Sequence, residues 1–166
     1  MLTNQEVAEH IAEKFDGSVA DFEQPYGLLT LTTTRETIIP LLAYLKDHPV
    51  YQISFLTDIT GIHYPESTGK EFAVVYHIHS LVNNFRTRVK VFLGKDDLHI
   101  PTATDLYASA NWMERETFDF FGILFDGHPN LTRILNIEEM DYHPMRKEYP
   151  LEDATRQDKI DALFGR

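Results

Sequence analysis

A two-layer α+β fold is what this 166-residue sequence predicts, and three observations carry that expectation. Helical periodicity and strand alternation succeed each other in short blocks along the chain. A hydrophobic fraction of 43% with 25% charged residues is ordinary globular composition. Surface scaling lets folding hide roughly 70% of the area an unfolded chain this size would expose, so a core can form without staples.

Thr3 and Glu6 have capping-box spacing, and Val7, Ile11 and Phe15 share one helical face before Gly17, which predicts a helix over 4–15. Val19–Glu23 and Tyr26–Thr33 flank Gln24-Pro25-Tyr26-Gly27 and read as two strands of a hairpin. Ile38, Leu41, Leu42 and Leu45 return to a helical period, with Pro40 in the first turn, where its missing N–H costs little, and Asp47-His48-Pro49 as the stop. Three strands follow at Tyr51–Thr60, Glu71–Ser80 and Phe85–Leu93. A two-residue turn at Asn83-Asn84 would pair Val74 with Leu93, Tyr76 with Val91 and Ile78 with Val89 on a core face. The opposite face would then set His79 against Arg88 and His77 against Lys90, with Arg86 beside them.

A third helix is expected from Thr104 to Phe121, with Gly122 past its end. Beyond it the periodicity fails. Residues 123–150 carry Asp126-Gly127, His128-Pro129, His143-Pro144 and Tyr149-Pro150, yet Ile123, Leu124, Phe125, Leu131, Ile134 and Leu135 are too apolar for a free linker. The expected organisation is therefore a compact domain over 1–122, built as helix, two strands, helix and three strands around one mixed sheet plus the third helix, and an extended arm over 123–166. The last sixteen residues read as a short terminal helix.

Composition excludes several function classes. The chain has no cysteine, so it cannot ligate an iron–sulfur cluster through thiolates, build a Cys-containing zinc site or use a thiol nucleophile. A formal charge of −11 disfavours nucleic acid and anionic lipid as general partners. No run reaches the 18 or so apolar residues of a spanning helix. Met1-Leu2-Thr3-Asn4-Gln5-Glu6 has no positive flank, and the expectation is a chain kept in the cytoplasm.

Candidate chemistry is sparse. His77 and His79 lie on one side of a strand at a spacing that suits zinc or copper, but Lys90 and Arg88 opposite them disfavour a divalent ion. Glu114, Glu116 and Asp119 cluster late in the third helix, with Arg115 and His128 nearby; paired carboxylates could serve acid–base hydrolysis or bind a hard metal. The plainer alternative is that they pair with Arg115, Arg133, Arg146 or Lys147 and pin the irregular tail. Phosphate loops, G-x-S-x-G and H-E-x-x-H are all missing. Binding therefore outranks catalysis.

The run Asn111-Trp112-Met113-Glu114-Arg115-Glu116-Thr117-Phe118-Asp119-Phe120-Phe121-Gly122-Ile123-Leu124-Phe125-Asp126-Gly127-His128-Pro129 resembles the signature of the C subunit of respiratory NADH:quinone oxidoreductase, complex I. The likeness continues through Leu131–Leu135 and Met145–Pro150, and reaches back to Tyr64-Pro65-Glu66, Phe72–His77 and Arg86–Val91. Met140, Tyr142 and His63 depart from it, standing where such proteins usually have Trp, Gly and Asp.

That resemblance implies a non-catalytic structural subunit of the hydrophilic arm, docked on the quinone-site subunit and on other subunits of that arm, at the cytoplasmic side of the inner membrane. The whole complex would oxidise NADH, reduce a quinone and export protons. No catalytic, cofactor-binding or metal residue is expected in this chain, while FMN, iron–sulfur clusters and quinone would reside in partner subunits. For the interface it implies apolar anchoring by Trp112, Phe118, Phe121 and Phe125. Glu114, Arg115, Glu116, Asp119, Arg133, Arg146 and Lys147 would add charge pairing, Gly122 a sharp turn, and His128-Pro129 would follow in the same surface. A buried anchor would contribute about 2–4 kcal/mol and an exposed ion pair about 0–1 kcal/mol. Two rivals remain: the equivalent subunit of a membrane-bound hydrogenase or other-donor dehydrogenase, and a stand-alone hydrolase using Glu114, Glu116, Asp119 and His128.

Overall fold

The computed structural model describes residues 3–149. Helix α1 (Asn4–Phe15) starts on the expected capping box: the Thr3 hydroxyl accepts from the Glu6 amide (3.3 Å), and the Glu6 carboxylate accepts from the Thr3 amide (3.1 Å). Strands β1 (Val19–Glu23) and β2 (Leu29–Thr33) form the antiparallel hairpin, with a one-turn 3-10 helix at Pro25–Gly27 shortening β2 from the start expected at Tyr26. Helix α2 (Ile38–Asp47) buries Ile38, Leu41, Leu42 and Leu45, as its periodicity requires.

The strands β3 (Phe55–His63), β4 (Phe72–Ser80) and β5 (Phe85–Leu93) complete a mixed five-stranded sheet ordered β1-β2-β5-β4-β3, in which β2 and β5 are parallel and the other pairs antiparallel. The β4–β5 register differs from the expected one by two residues: Val74 opposes Val91, Tyr76 opposes Val89, His77 opposes Arg88 and His79 opposes Arg86. The cause lies in the turn, which spans four residues, Leu81–Asn84, and not two. The Asn83 side chain instead donates to the carbonyls of Val50 (2.8 Å) and Tyr51 (3.1 Å), tying this loop to the one before β3. Because side chains alternate with period two, a two-residue slip changes every partner and leaves both faces as expected.

One face of the sheet enters the core. Leu29, Leu31, Ile59, Val74, Tyr76, Ile78, Val89 and Val91 join Val7, Ile11, Leu41, Leu42 and Leu45 of the helices in one hydrophobic cluster. Their alternates in the strands, among them Thr32, Arg86, Arg88, Lys90 and His77, lie outside it.

Helix α3 (Ala110–Phe121) is shorter than expected, since residues 104–109 are spent in turns that bury Tyr107. It packs on β3, where Gly61 makes the room: a Cβ there would sit 2.5 Å from Cδ2 of the Phe121 ring. Two short strands that the alternation did not reveal, β6 (His99–Pro101) and β7 (Leu124–Asp126), pair in parallel as a second small sheet. Ile123 and Phe125 are thereby core residues, so the irregular arm starts near Gly127 and not at residue 123. Three residues are too few to show a period, which is why periodicity alone sets the boundary too early. The expected terminal helix lies outside the described residues.

Gly61→Ala should therefore lower stability by about 1–3 kcal/mol through overpacking against Phe121. Chemical denaturation checks this, and in a double-mutant cycle the cost of Gly61→Ala should be smaller in a Phe121→Ala background because the clash needs both side chains.

Candidate docking site

Every α-helix leaves its last four carbonyls without helical donors. At the end of α3 those groups are Phe118, Asp119, Phe120 and Phe121. Gly122, in the left-handed conformation at φ 74°, returns its amide to the Phe118 carbonyl (2.8 Å). The other three carbonyls are satisfied by the arm. Arg133 Nη1 (3.1 Å) and His143 Nδ1 (3.0 Å) reach the Asp119 carbonyl, the Met145 amide donates to Phe120 (3.1 Å), and Arg146 Nε donates to Phe121 (2.7 Å). Two of these donors are guanidinium groups, placed where the helix dipole favours positive charge.

The Asp119 side chain is the centre of the site. It is fully buried, and five donors converge on it. Oδ2 accepts from the amides of Ile134 (3.1 Å), Leu135 (2.8 Å) and Asn136 (2.9 Å), while Oδ1 accepts from Arg133 Nη1 (2.7 Å) and Asn136 Nδ2 (3.0 Å). Burial opposes its ionisation, but those hydrogen bonds prevail and hold the carboxyl well below the usual range. Arg133 then spends its second nitrogen on the carbonyls of Met140 (2.7 Å) and Tyr142 (2.9 Å). The path of residues 133–142 is thus fixed through backbone groups, which tolerates the departures at Met140 and Tyr142.

Arg115 adds a second clamp, donating to the carbonyls of Thr132 (3.1 Å) and Arg133 (3.0 Å) while its guanidinium lies over the Trp112 ring at 5.2 Å. Gly122 is required twice, because its φ is positive and because a Cβ would overlap the Arg146 guanidinium and the His143 imidazole. The Lys147 amide donates to His63 Nδ1 (3.0 Å), joining the arm to the end of β3.

The structure divides the residues that the sequence singled out. Arg115, Asp119, Arg133 and Arg146 do pin the arm, and Phe118 meets His143 edge-on at a centroid distance of 5.8 Å. Phe121 and Phe125 are buried in the chain's own core, so neither presents a surface anchor. Glu114 is buried too, with Thr102 and Ala103 as partners and no arginine. Glu116 is exposed while Asp119 is buried, so their three-residue spacing does not make them a working pair. Pro129 and Lys147 are exposed, and His128 Nε2 contacts the Asn111 carbonyl (3.1 Å).

Sequence reasoning missed the amides of 134–136, Asn136 and His143, since backbone donors leave no residue-type signal. The apolar side chains that do reach solvent here are Trp112 (61% exposed), Leu135, Ile137, Tyr142, Met145 and Tyr149. Glu114 is held by Thr102 and Ala103, Asp119 by the arm and His128 by the Asn111 carbonyl, while Glu116 is exposed. Among the described residues no group of three His, Asp or Glu side chains could hold a metal ion.

Fold and clasp together define an α+β module whose last helix is capped by its own arm. The family described as the 30-kDa subunit of respiratory-chain NADH dehydrogenase matches residues 31–155. Among curated relatives, the C subunit of NADH-quinone oxidoreductase from Azorhizobium caulinodans is 41% identical over 149 residues, covering 90% of this chain and 70% of its own length. Its Nocardioides sp. counterpart is 43% identical over 125 residues, covering 75% of this chain and 50% of that protein. A trypsin-resistant fragment of Nqo5 shares the fold at a TM-score of 0.66 with 34% identity, covering 78% of this chain and 100% of the fragment. A chain of the membrane-bound sulfane sulfur reductase, an archaeal respiratory membrane complex, does so at 0.72 with 25% identity, covering 89% and 85%. The chain belongs to the 30-kDa subunit family of respiratory-chain NADH dehydrogenase. It spans about half the length of the Nocardioides relative and 76% of a Rhizobium meliloti one.

Two variants test the energetics. Asp119→Ala removes the acceptor from five donors and should cost about 3–5 kcal/mol in urea denaturation. It should also open trypsin cleavage after Arg133, whose side chain is 10% exposed in the clasp; unchanged cleavage would speak against the clasp.

Glu114 behaves oppositely. Burial is the main cause that pushes its carboxyl up to about 7 from 4.5. Between those values the folded state binds the extra proton, so stability falls as pH rises through the window, by about 3 kcal/mol at most. Glu114→Gln should be more stable relative to the parent at pH 8 than at pH 4.5; parallel stability curves for the two would count against this.

Proposed function

We propose that this chain is a non-catalytic structural subunit of the hydrophilic arm of a proton-translocating NADH:quinone oxidoreductase. Its clasped arm and the exposed apolar side chains around it dock on the quinone-site subunit. FMN, iron–sulfur clusters and quinone belong to partner subunits, and the chain sits peripherally on the cytoplasmic side of the inner membrane through the complex. Among the described residues no helix is long and apolar enough to cross a membrane.

The observation that supports this reading best is the combination of a rigidly clasped backbone with unburied apolar groups. Leu135 and Ile137, at 62% and 67% exposed, follow or flank the very amides that Asp119 holds. A segment ordered by its own domain yet left apolar on its outer side is suited to a partner surface, because the ordering entropy is already met before association. The absence of cysteine supports placing the iron–sulfur clusters elsewhere.

A second reading is kept open by the likeness to the sulfane sulfur reductase chain: the equivalent subunit of a respiratory membrane complex with another electron donor. Both readings predict the same docking.

Affinity purification from the native membrane tests them. Recovery with a large quinone-site subunit and flavin- and cluster-bearing subunits is expected; recovery of this chain alone would overturn the proposal, and co-purified chains that lack an NADH-oxidising subunit would favour the second reading. Within the complex, Trp112→Ala or Ile137→Ala should reduce recovery more than Lys147→Ala, because desolvated anchors dominate interface energies. The reverse ranking would reject the apolar docking face.

A further inference from the structure

The face of the five-stranded sheet that points away from the helices has a composition unlike the rest of the molecule. The chain carries 26 acidic and 15 basic residues, yet the outward positions of the central strand β5 are Arg86, Arg88 and Lys90 in succession. Among the described residues no carboxylate lies within 4 Å of any of these three cations. Arg88 is oriented by the sheet itself: its Nε donates to His77 Nε2 (2.8 Å), and His77 Nδ1 lies 3.5 Å from Asp58. Asp58 on β3 and Glu23 on β1 are acids of the same face, both on the outer strands of the sheet.

Apolar groups accompany the charges. Phe55, paired with His79 and so on this face, is 47% exposed. A cavity of about 320 Å³ is lined by Leu28, Thr57, Asp58, His77 and Arg86. That is room for a large side chain of a partner. Arg86 on the pocket wall is a residue type that protein interfaces favour, and clustered unpaired cations select an acidic complement.

We infer that this open sheet face is a second docking surface, which receives an acidic segment of a neighbouring protein subunit, with carboxylates on Arg86 and Lys90 and one apolar side chain in the pocket that Leu28 and Arg86 line. The inference rests on the reading of the chain as a subunit of a larger assembly, and it is independent of the clasped arm. The net charge of −11 argues against the other anionic occupants, since a membrane or nucleic acid would meet the repulsion of the whole chain, whereas a short acidic segment meets mainly the local cations.

Lys90 supplies the probe. Separate samples of the purified complex and of the chain alone are treated either with an amine-acetylating reagent or with a carbodiimide, which couples an amine only to a carboxylate in contact with it. Acetylation of Lys90 should be about tenfold slower in the complex, as expected of a group inside a standard-sized interface. The carbodiimide should join Lys90 to an Asp or Glu of a different subunit, and Lys90→Arg should abolish that link while leaving the complex intact. Equal acetylation in the two forms overturns the inference, and so does a link from Lys90 to a second copy of this chain. Failure to recover the chain in any complex would refute the subunit reading instead.

Discussion

A buried carboxylate in a folded chain is a liability unless its charge is met, and here meeting it shapes the path of the described arm after the last helix. Asp119 sits in the last turn of α3 with its side chain fully enclosed. Only the arm supplies enough donors to keep it ionised, and three of them are consecutive backbone amides. A run of N–H groups converging on one oxygen imposes a tight backbone path, much as a nest does around an anion. The irregular look of residues 127–149 is therefore a consequence of a constraint, and the segment needs no secondary structure to hold its form.

The same place solves a second problem. The open carbonyls of α3 would be costly if buried without donors, and the arm caps them with Arg133, His143, Met145 and Arg146. Capping and charge pairing are thus one structure. Gly61 and Gly122 make it sterically possible, one by letting α3 press on β3 and the other by letting the chain turn under Arg146. With its polar demands met inward, the arm turns Leu135 and Ile137 outward. A preformed surface of that kind avoids much of the ordering cost that a disordered segment would incur on binding.

Most of the layered domain was legible because each element announces itself by period or cap. The capping box at Thr3 and Glu6, the stripe through Leu41 and Leu45, and the alternation along Phe85–Leu93 each name their element. What stayed hidden had no residue-type signal. The four-residue turn after β4 looks like a two-residue one because Asn83-Asn84 favours both, and only contacts with Val50 and Tyr51 decide it. Strands β6 and β7 are three residues each. In the candidate site the charged residues were visible as charges, but their directions were not: Asp119 and Glu116 are three apart in sequence and opposite in burial. The signature around Trp112–Gly122 marked this stretch without saying that Phe121 serves its own core.

A preformed arm has a direct signature in amide hydrogen exchange of the wild-type chain, free of any partner. The amides of Ile134, Leu135 and Asn136, which donate to Asp119 and belong to no helix or strand, should exchange slowly, approaching the protection of amides in β4 and β5. Exchange of these three amides at the rate of an unstructured peptide would contradict a clasp that shapes the arm within the chain itself.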